Sequence, residues 1–166
     1  MRSGSEREIE EPLKSTESTS EKSQVTVTLT PNPENRCFGC GGANDQGMKL
    51  TFVQDNERRR IIGRFVLGER YQGGGGMAHG GIIATLLDEA MGKVCRFREA
   101  RAVTAELSIK YLKPVNVRDE IIVEGWEEAE QKGRNLFHVG EIRNAAGEIL
   151  ALGRARFVIV SELKQV

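Results

Sequence analysis

The chain has 166 residues and a mass of 18.4 kDa, room for one ordinary domain with a tail. Lys and Arg number 24 and Asp and Glu number 24, so the formal charge is zero and the electrostatic footprint of a dedicated nucleic-acid binder is missing. No run approaches the roughly 18 uninterrupted apolar residues of a membrane-spanning helix, and three cysteines are too few for a disulfide scaffold, which suits a reducing cytoplasm.

Residues 1–24 are dominated by Glu, Ser, Lys and Thr, with too little apolar surface to offset the entropy of ordering. Six acidic against four basic residues argue against a mitochondrial presequence, and a secretory apolar core is missing. Residues 1–34 therefore read as a disordered polar leader or N-terminal arm, with 25–30 a short strand or arm. The domain spans 35–160, and 161–166 form a tail. Within the domain, 48–54 and 60–67 read as strands joined by a charged turn, and 71–79 as a loop holding four consecutive glycines, Gly73 to Gly76. Helical periodicity covers 80–98. Residues 101–111 alternate, with Val103, Ala105, Leu107, Ile109 and Tyr111 on the face expected to pack on the helix. Thr104, Glu106, Ser108 and Lys110 lie on the other. Strands at 120–127, 135–143 and 148–160 complete a meander, the last two turns falling near Lys132-Gly133 and at 144–147. The predicted fold class is α+β: an antiparallel sheet of five to six strands wrapped around one long central helix. One helix covers one face of a sheet, so oligomerisation is expected.

On a wheel of 100° per residue, Ile82, Ile83, Ala84, Leu86, Leu87, Ala90, Met91, Val94 and Cys95 cover an arc of about 220°, so most of the helix is expected to be buried. Glu89 and Lys93 share one edge, expected to meet solvent. Asp88 falls at the opposite edge, flanked one turn away by Ala84 and Gly92. A carboxylate there can meet a ligand or simply pair with a rim Arg or Lys, and periodicity alone does not separate the two. The helix start adds weight. Its glycine-rich approach leaves backbone N–H groups uncovered where the helix dipole favours negative charge. A carbonyl oxygen against the Gly80 N–H would become an oxyanion in acyl transfer, a contact that contributes roughly 3–4 kcal/mol to such transition states. No Lys-Ser or Lys-Thr follows, so a nucleotide phosphate loop is excluded.

The run Tyr71-Gln72-Gly73, Met77-Ala78-His79-Gly80-Gly81-Ile82 and Ala84-Thr85-Leu86-Leu87-Asp88-Glu89-Ala90 resembles the hotdog-fold acyl-CoA thioesterases. It is most similar to the branch that includes the phenylacetic-acid-pathway enzymes and the human thioesterase-superfamily members. Val103-Thr104-Ala105-Glu106-Leu107 running into Tyr111-Leu112-Lys113-Pro114 also matches, as does Cys37-Phe38-Gly39-Cys40-Gly41 with Asn44 and Gly47. The resemblance covers about residues 35–160 and implies a hotdog fold and hydrolysis of an acyl-CoA without a cofactor. It assigns Asp88 as general base or nucleophile and Gly80 as the N–H donor to the thioester carbonyl. It assigns Thr104, supplied by the neighbouring subunit, to position water. His79, Gly81 and Gly73 would lie beside the substrate. Some relatives carry Asn or Gln at the position of Gly73, a contact this chain lacks. Lys110, Tyr111, Lys113, Arg134 and Asn135 match segments that hold the nucleotide end of CoA; Arg118 and Lys132 are further cations for it. The implied partners are the acyl-CoA substrate and further copies of the chain, as homodimer or homotetramer, with neither nucleic acid nor membrane.

His79 has no Ser or Cys nucleophile in recognisable relation to it, so capping of the helix start is its expected role, and His138 is expected to be core or surface. Cys37-x2-Cys40 is half of a zinc site without its second half, so no metal is expected and the segment reads as a turn held against the first strand. The alternative function is a non-catalytic acyl-CoA-binding hotdog module. Dehydratase chemistry on this fold is disfavoured, because its His in a Pro-rich turn before the helix is absent.

Overall fold

The computed structural model describes residues 25–128 and 132–162. The expected leader over 1–24 and the last tail residues, 163–166, lie outside the described residues, as does Gln131 in the turn before Lys132. Among the described residues, seven strands and one α-helix follow in order: β1 Thr26–Leu29, β2 Phe52–Asp55, β3 Arg60–Val66, α1 Gly80–Lys93, β4 Ala100–Tyr111, β5 Glu120–Glu127, β6 Asn135–Asn144 and β7 Ile149–Glu162. They form one antiparallel sheet in the order β1-β2-β3-β5-β6-β7-β4. The α+β expectation holds, with the short arm segment as the seventh strand.

α1 starts where a His can cap it. His79 has extended backbone (φ −64°, ψ 138°), and its Nδ1 accepts the Gly81 N–H at 2.9 Å. The α-helical part ends at Lys93; Val94–Arg98 tightens into a 3-10 turn, and Glu99 at φ 52° reverses the chain into β4. Ile83, Leu86, Leu87, Ala90 and Met91 are buried against the sheet with Phe52, Ile61, Ile121, Val123, Leu136, Ile142 and Phe157. Truncating one such residue, Leu87→Ala for example, would cost about 2–5 kcal/mol.

Three glycines set how close the helix lies. Gly140 on β6 is the cross-strand partner of both Gly125 on β5 and Gly153 on β7. A Cβ at Gly125 would lie 2.9 Å from the Ala90 backbone, one at Gly140 3.1 Å from Met91 Cγ, and one at Gly153 3.0 Å from Met91 Cε. The row is a groove across the sheet centre in which α1 rests, with no space for larger side chains.

Two expectations change here. Strand β2 begins at Phe52 rather than Met48. The Met48 and Leu50 N–H groups donate instead to Phe38 and Gly39 carbonyls, at 2.7 and 2.9 Å, which holds the Cys37–Cys40 turn in place. The alternation of β4 also breaks. Thr104 pairs with Phe157 and Glu106 with Arg156, so Ala105 is an extra, unpaired residue. Such a bulge shifts every later side chain to the opposite face. Because Ile109 beyond the bulge packs on the core, the residues before the bulge take the reverse of the expected alternation: Ala102 packs on the core, Thr104 faces α1 rather than the polar outer face, and Val103 points outward at 54% exposure.

β4 is the longer of the two sheet edges: its far side pairs with no strand among the described residues. It leaves Val103, Leu107 and Tyr111 exposed along its length. A long, apolar, unpaired edge is a template for another strand.

Candidate active site

Asp88 is half-buried on α1, at the border position expected, in a cavity of about 340 Å³. Thr104 Oγ1–H donates to Asp88 Oδ1 at 2.8 Å, which leaves Oδ2 for another partner. Cys95, Ala100, Ala102 and Phe157 give the cavity apolar walls. Gly92, one turn beyond Asp88, keeps it open: a Cβ there would lie 3.5 Å from the Phe157 ring. Burial pushes the Asp88 carboxyl above the ordinary carboxylate range, the nearby Glu89 charge adds to this, and the Thr104 hydrogen bond opposes it. The result is an ionisable group poorly hydrated in a cavity and oriented by one donor.

The bond to Thr104 corrects an expectation. Thr104 reaches Asp88 from the same chain, not from a neighbouring subunit, because the break in alternation at Ala105 leaves Thr104 on the helix side of β4. Arg96 and Arg101, which sequence reading did not single out, also line this cavity. Their charges emerge only once the 3-10 turn and the start of β4 fold over Asp88.

A second cavity, of about 420 Å³, opens at the other end of α1. Gly73, His79, Gly80, Tyr111 and Lys113 line it. The His79 N–H donates to the Tyr71 carbonyl, the Gly81 N–H to His79 Nδ1, and the Ile82 and Ile83 N–H groups to the His79 carbonyl. The Gly80 N–H alone in this first turn has no acceptor among the described residues. The Gly80 carbonyl is also held, accepting from Tyr111 Oη at 3.0 Å. His79 thus serves as the N-cap, and Gly81 has its donor occupied.

The expected site residues fall into two groups within one chain. Gly73, His79, Gly80, Gly81, Tyr111 and Lys113 gather at the helix start, with Lys110 at the adjoining end of β4; Lys113 pairs with Glu148. Asp88 and Thr104 lie toward the other end. Arg134 joins them rather than the first group: its guanidinium donates to the Ile159 carbonyl, and Ile159 pairs with Ala102 on β4. The Asn135 side chain accepts from Arg156. Asp88 lies eight residues beyond Gly80 on the helix, about 12 Å along the axis. That is too far for both to touch one carbonyl group. Arg118 is engaged by Glu69.

The opposite helix edge is not solvent-exposed as expected. Glu89 and Lys93 pair at 2.8 Å with both side chains 15% exposed, covered by the turn that carries Cys37 and Cys40. Burial alone would push the Glu89 carboxyl up, but Lys93 and hydrogen bonds from both thiols outweigh it, and the net direction is down. Burial and the Glu89 carboxylate push the Cys40 thiol up to about 12. His138 is core, fully buried, its Nδ1–H donating to the Met91 carbonyl at 2.8 Å.

The family model of the thioesterase superfamily matches residues 75–148, from the glycine loop through α1 and Asp88 to the turn that follows β6. Acyl-coenzyme A thioesterase THEM4 of Rattus norvegicus is 34% identical over 91 residues, 55% of this chain and 39% of the rat protein. The match thus spans about two fifths of that relative's length. A solved thioesterase superfamily protein superposes with a TM-score of 0.68 at 26% identity, covering 74% of this chain and 60% of that one. A hypothetical thioesterase of Streptococcus pneumoniae, solved with coenzyme A, superposes with a TM-score of 0.60 at 22% identity over 63% of this chain and 84% of its own. The chain has the hotdog fold, and the part of it from the glycine loop to the turn after β6 is similar to the thioesterase superfamily.

Proposed function

We propose that the protein is an acyl-CoA thioesterase whose active site is assembled from two copies of the chain. The observation that carries this reading is the half-buried Asp88 held by Thr104 in a cavity, with the free Gly80 N–H about 12 Å away along the same helix. Antiparallel pairing of two β4 edges sets the Tyr111 end of one strand against the Thr104 end of the other. Asp88 and Thr104 of one chain then face Gly80, His79 and Tyr111 of its partner, and the exposed apolar edge is covered. Whether such dimers pair again into tetramers does not alter the site.

In this arrangement the thioester carbonyl rests against the Gly80 N–H. Asp88 takes a proton from a water as its oxygen adds to the carbonyl carbon, and charge develops on the carbonyl oxygen at the helix N-terminus. The C–S bond then breaks, the proton passes to the departing sulfur, and free acid and CoA leave. Thr104 keeps one carboxylate oxygen fixed so that the other faces the water. A carboxylate that is poorly hydrated by burial is a stronger base than one in bulk water. Lys110, Lys113 and Arg134, with Asn135, are the groups proposed for the nucleotide end of CoA. The relative named as an acyl-coenzyme A thioesterase and the neighbour solved with coenzyme A support the substrate class. A cytoplasmic homo-oligomer fits this reading; among the described residues no helix is long and apolar enough to cross a membrane.

The test is thiol release from short, medium, long and aromatic acyl-CoAs, with Asp88→Asn beside the parent chain. Hydrolysis that falls at least about 100-fold in the variant supports the assignment. CoA-ester binding without thiol release from any substrate would replace it with a binding module.

A further inference from the structure

The Cys37-x2-Cys40 turn is half a metal site in the sequence, and the fold supplies a third donor from α1. The two Sγ atoms and a Glu89 carboxylate oxygen all lie within 4.8 Å of one another. We infer that Cys37, Cys40 and Glu89 bind one soft or borderline divalent cation, Zn2+ by the chemistry of the donors, with water completing a tetrahedral shell. Two thiolates and one carboxylate suit zinc and disfavour Mg2+ or Ca2+, which take oxygen ligands.

Several features of the site are independent of one another. The Glu89 carboxylate is divided between two tasks: Oε1 faces Cys37 Sγ at 3.2 Å, and Oε2 accepts from Lys93 Nζ at 2.8 Å. A ligating carboxylate whose second oxygen is held by another side chain is the usual outer-shell arrangement of metal sites. Charge also balances. Two thiolates and Glu89 carry three negative charges, which a divalent ion and the Lys93 ammonium together cancel. The turn is tied down by hydrogen bonds of its own that need no ion. Asn35 Oδ1 accepts the Cys37 N–H at 2.7 Å, the Gly41 N–H donates to the Cys37 carbonyl at 3.0 Å, and the Leu50 N–H donates to Gly39. Gly39 lies so close to α1 that a Cβ would come 2.3 Å from Glu89 Oε1, so the loop could not bring its thiols to this carboxylate with any other residue there without Glu89 moving. A separate cavity of about 320 Å³, lined by Asn32, Asn35, Cys40, Lys93 and Arg96, gives the ion a way in and the water a place.

Binding replaces two S–H bonds with two metal–sulfur bonds and releases two protons per ion, with no change of oxidation state. The test uses the full chain, reduced, stripped with a chelator, and titrated anaerobically with Co2+. The expected result is one Co2+ per chain, with thiolate-to-cobalt charge transfer in the near ultraviolet and the intense visible bands of tetrahedral cobalt. Zn2+ then bleaches both. Cys37→Ser and Cys40→Ser each lose charge-transfer intensity, Glu89→Gln weakens cobalt binding at least about tenfold, and Cys95→Ala leaves the spectrum unchanged. A fully reduced parent chain that shows no charge-transfer band with Co2+ in large excess overturns the proposal. So does a spectrum that survives Cys37→Ser, or a Cys37–Cys40 disulfide whose reduction yields no cobalt binding. None of these readouts involves thioester hydrolysis, so the result stands apart from the role of Asp88.

Discussion

Gly80→Pro isolates the donor on which the proposed chemistry turns. Proline removes the one N–H in the first turn of α1 that has no acceptor among the described residues. The site tolerates it for two reasons. Gly80 is the first helical residue, where a missing N–H breaks no intrahelical bond and a fixed φ near −65° suits the helix. His79 before it already has ψ 138°, the extended conformation that a following proline requires. An added Cβ meets nothing closer than Tyr111 Oη at 3.5 Å. The variant should therefore fold as the parent does while losing about 2.7–4 kcal/mol of transition-state stabilisation, or about 100- to 1,000-fold in kcat. Gly80→Ala adds the carbon but keeps the N–H, and should stay within a few-fold. Thiol release measures the rate, and circular dichroism with thermal unfolding checks the fold. A folded Gly80→Pro enzyme with kcat close to the parent's would refute the role of this N–H.

The acid limb of the activity profile should lie above the ordinary carboxylate range, because burial raises the Asp88 pKa and the base must be ionised. The same shift has the opposite sign for stability. The folded chain holds this proton more tightly than the unfolded one, so the contribution of Asp88 declines as pH rises from 3.8 through its raised value. Asp88→Asn should thus raise the unfolding midpoint at neutral pH while abolishing turnover; a lowered midpoint would contradict the burial argument. Thr104→Ala removes the hydrogen bond that opposes the shift, so its acid limb should move further up and its kcat should fall about tenfold. An unmoved pH profile would show that Thr104 does not set the state of Asp88. Gly125→Ala, whose Cβ would sit 2.9 Å from the Ala90 backbone, should cost about 1–3 kcal/mol in denaturant unfolding, and an unchanged midpoint would mean the helix does not rest in the glycine row.

What could be read before folding was local. The 3.6-residue repeat from Ile82 to Cys95 defines α1 and puts Asp88 at its buried border, and His79 before Gly80-Gly81 reads as a cap. What could not be read depends on contacts between distant segments. Nothing in Val103 to Leu107 announces that Ala105 is left unpaired, since a bulge is decided by the register with β7, and this one residue turns Thr104 toward Asp88. Glu89 and Lys93 look like a solvated i,i+4 pair until residues 37–42 fold over them. Gly125, Gly140 and Gly153 stand in three separate strands and become one groove only when those strands align. The division of the expected site residues into two groups is likewise a matter of distance along α1 and β4, which motif matching does not measure.

A site shared between chains makes one prediction that a site within a chain cannot share. Asp88→Asn and Gly80→Pro chains, each inactive alone, are mixed in equal amounts and allowed to exchange subunits. In a mixed dimer one site carries both defects and the other carries neither. With half the dimers mixed and one of two sites intact in each, thiol release should recover to about a quarter of the parent value. Recovery to that level would support the two-chain site, and a mixture that exchanges subunits yet stays inactive would contradict it.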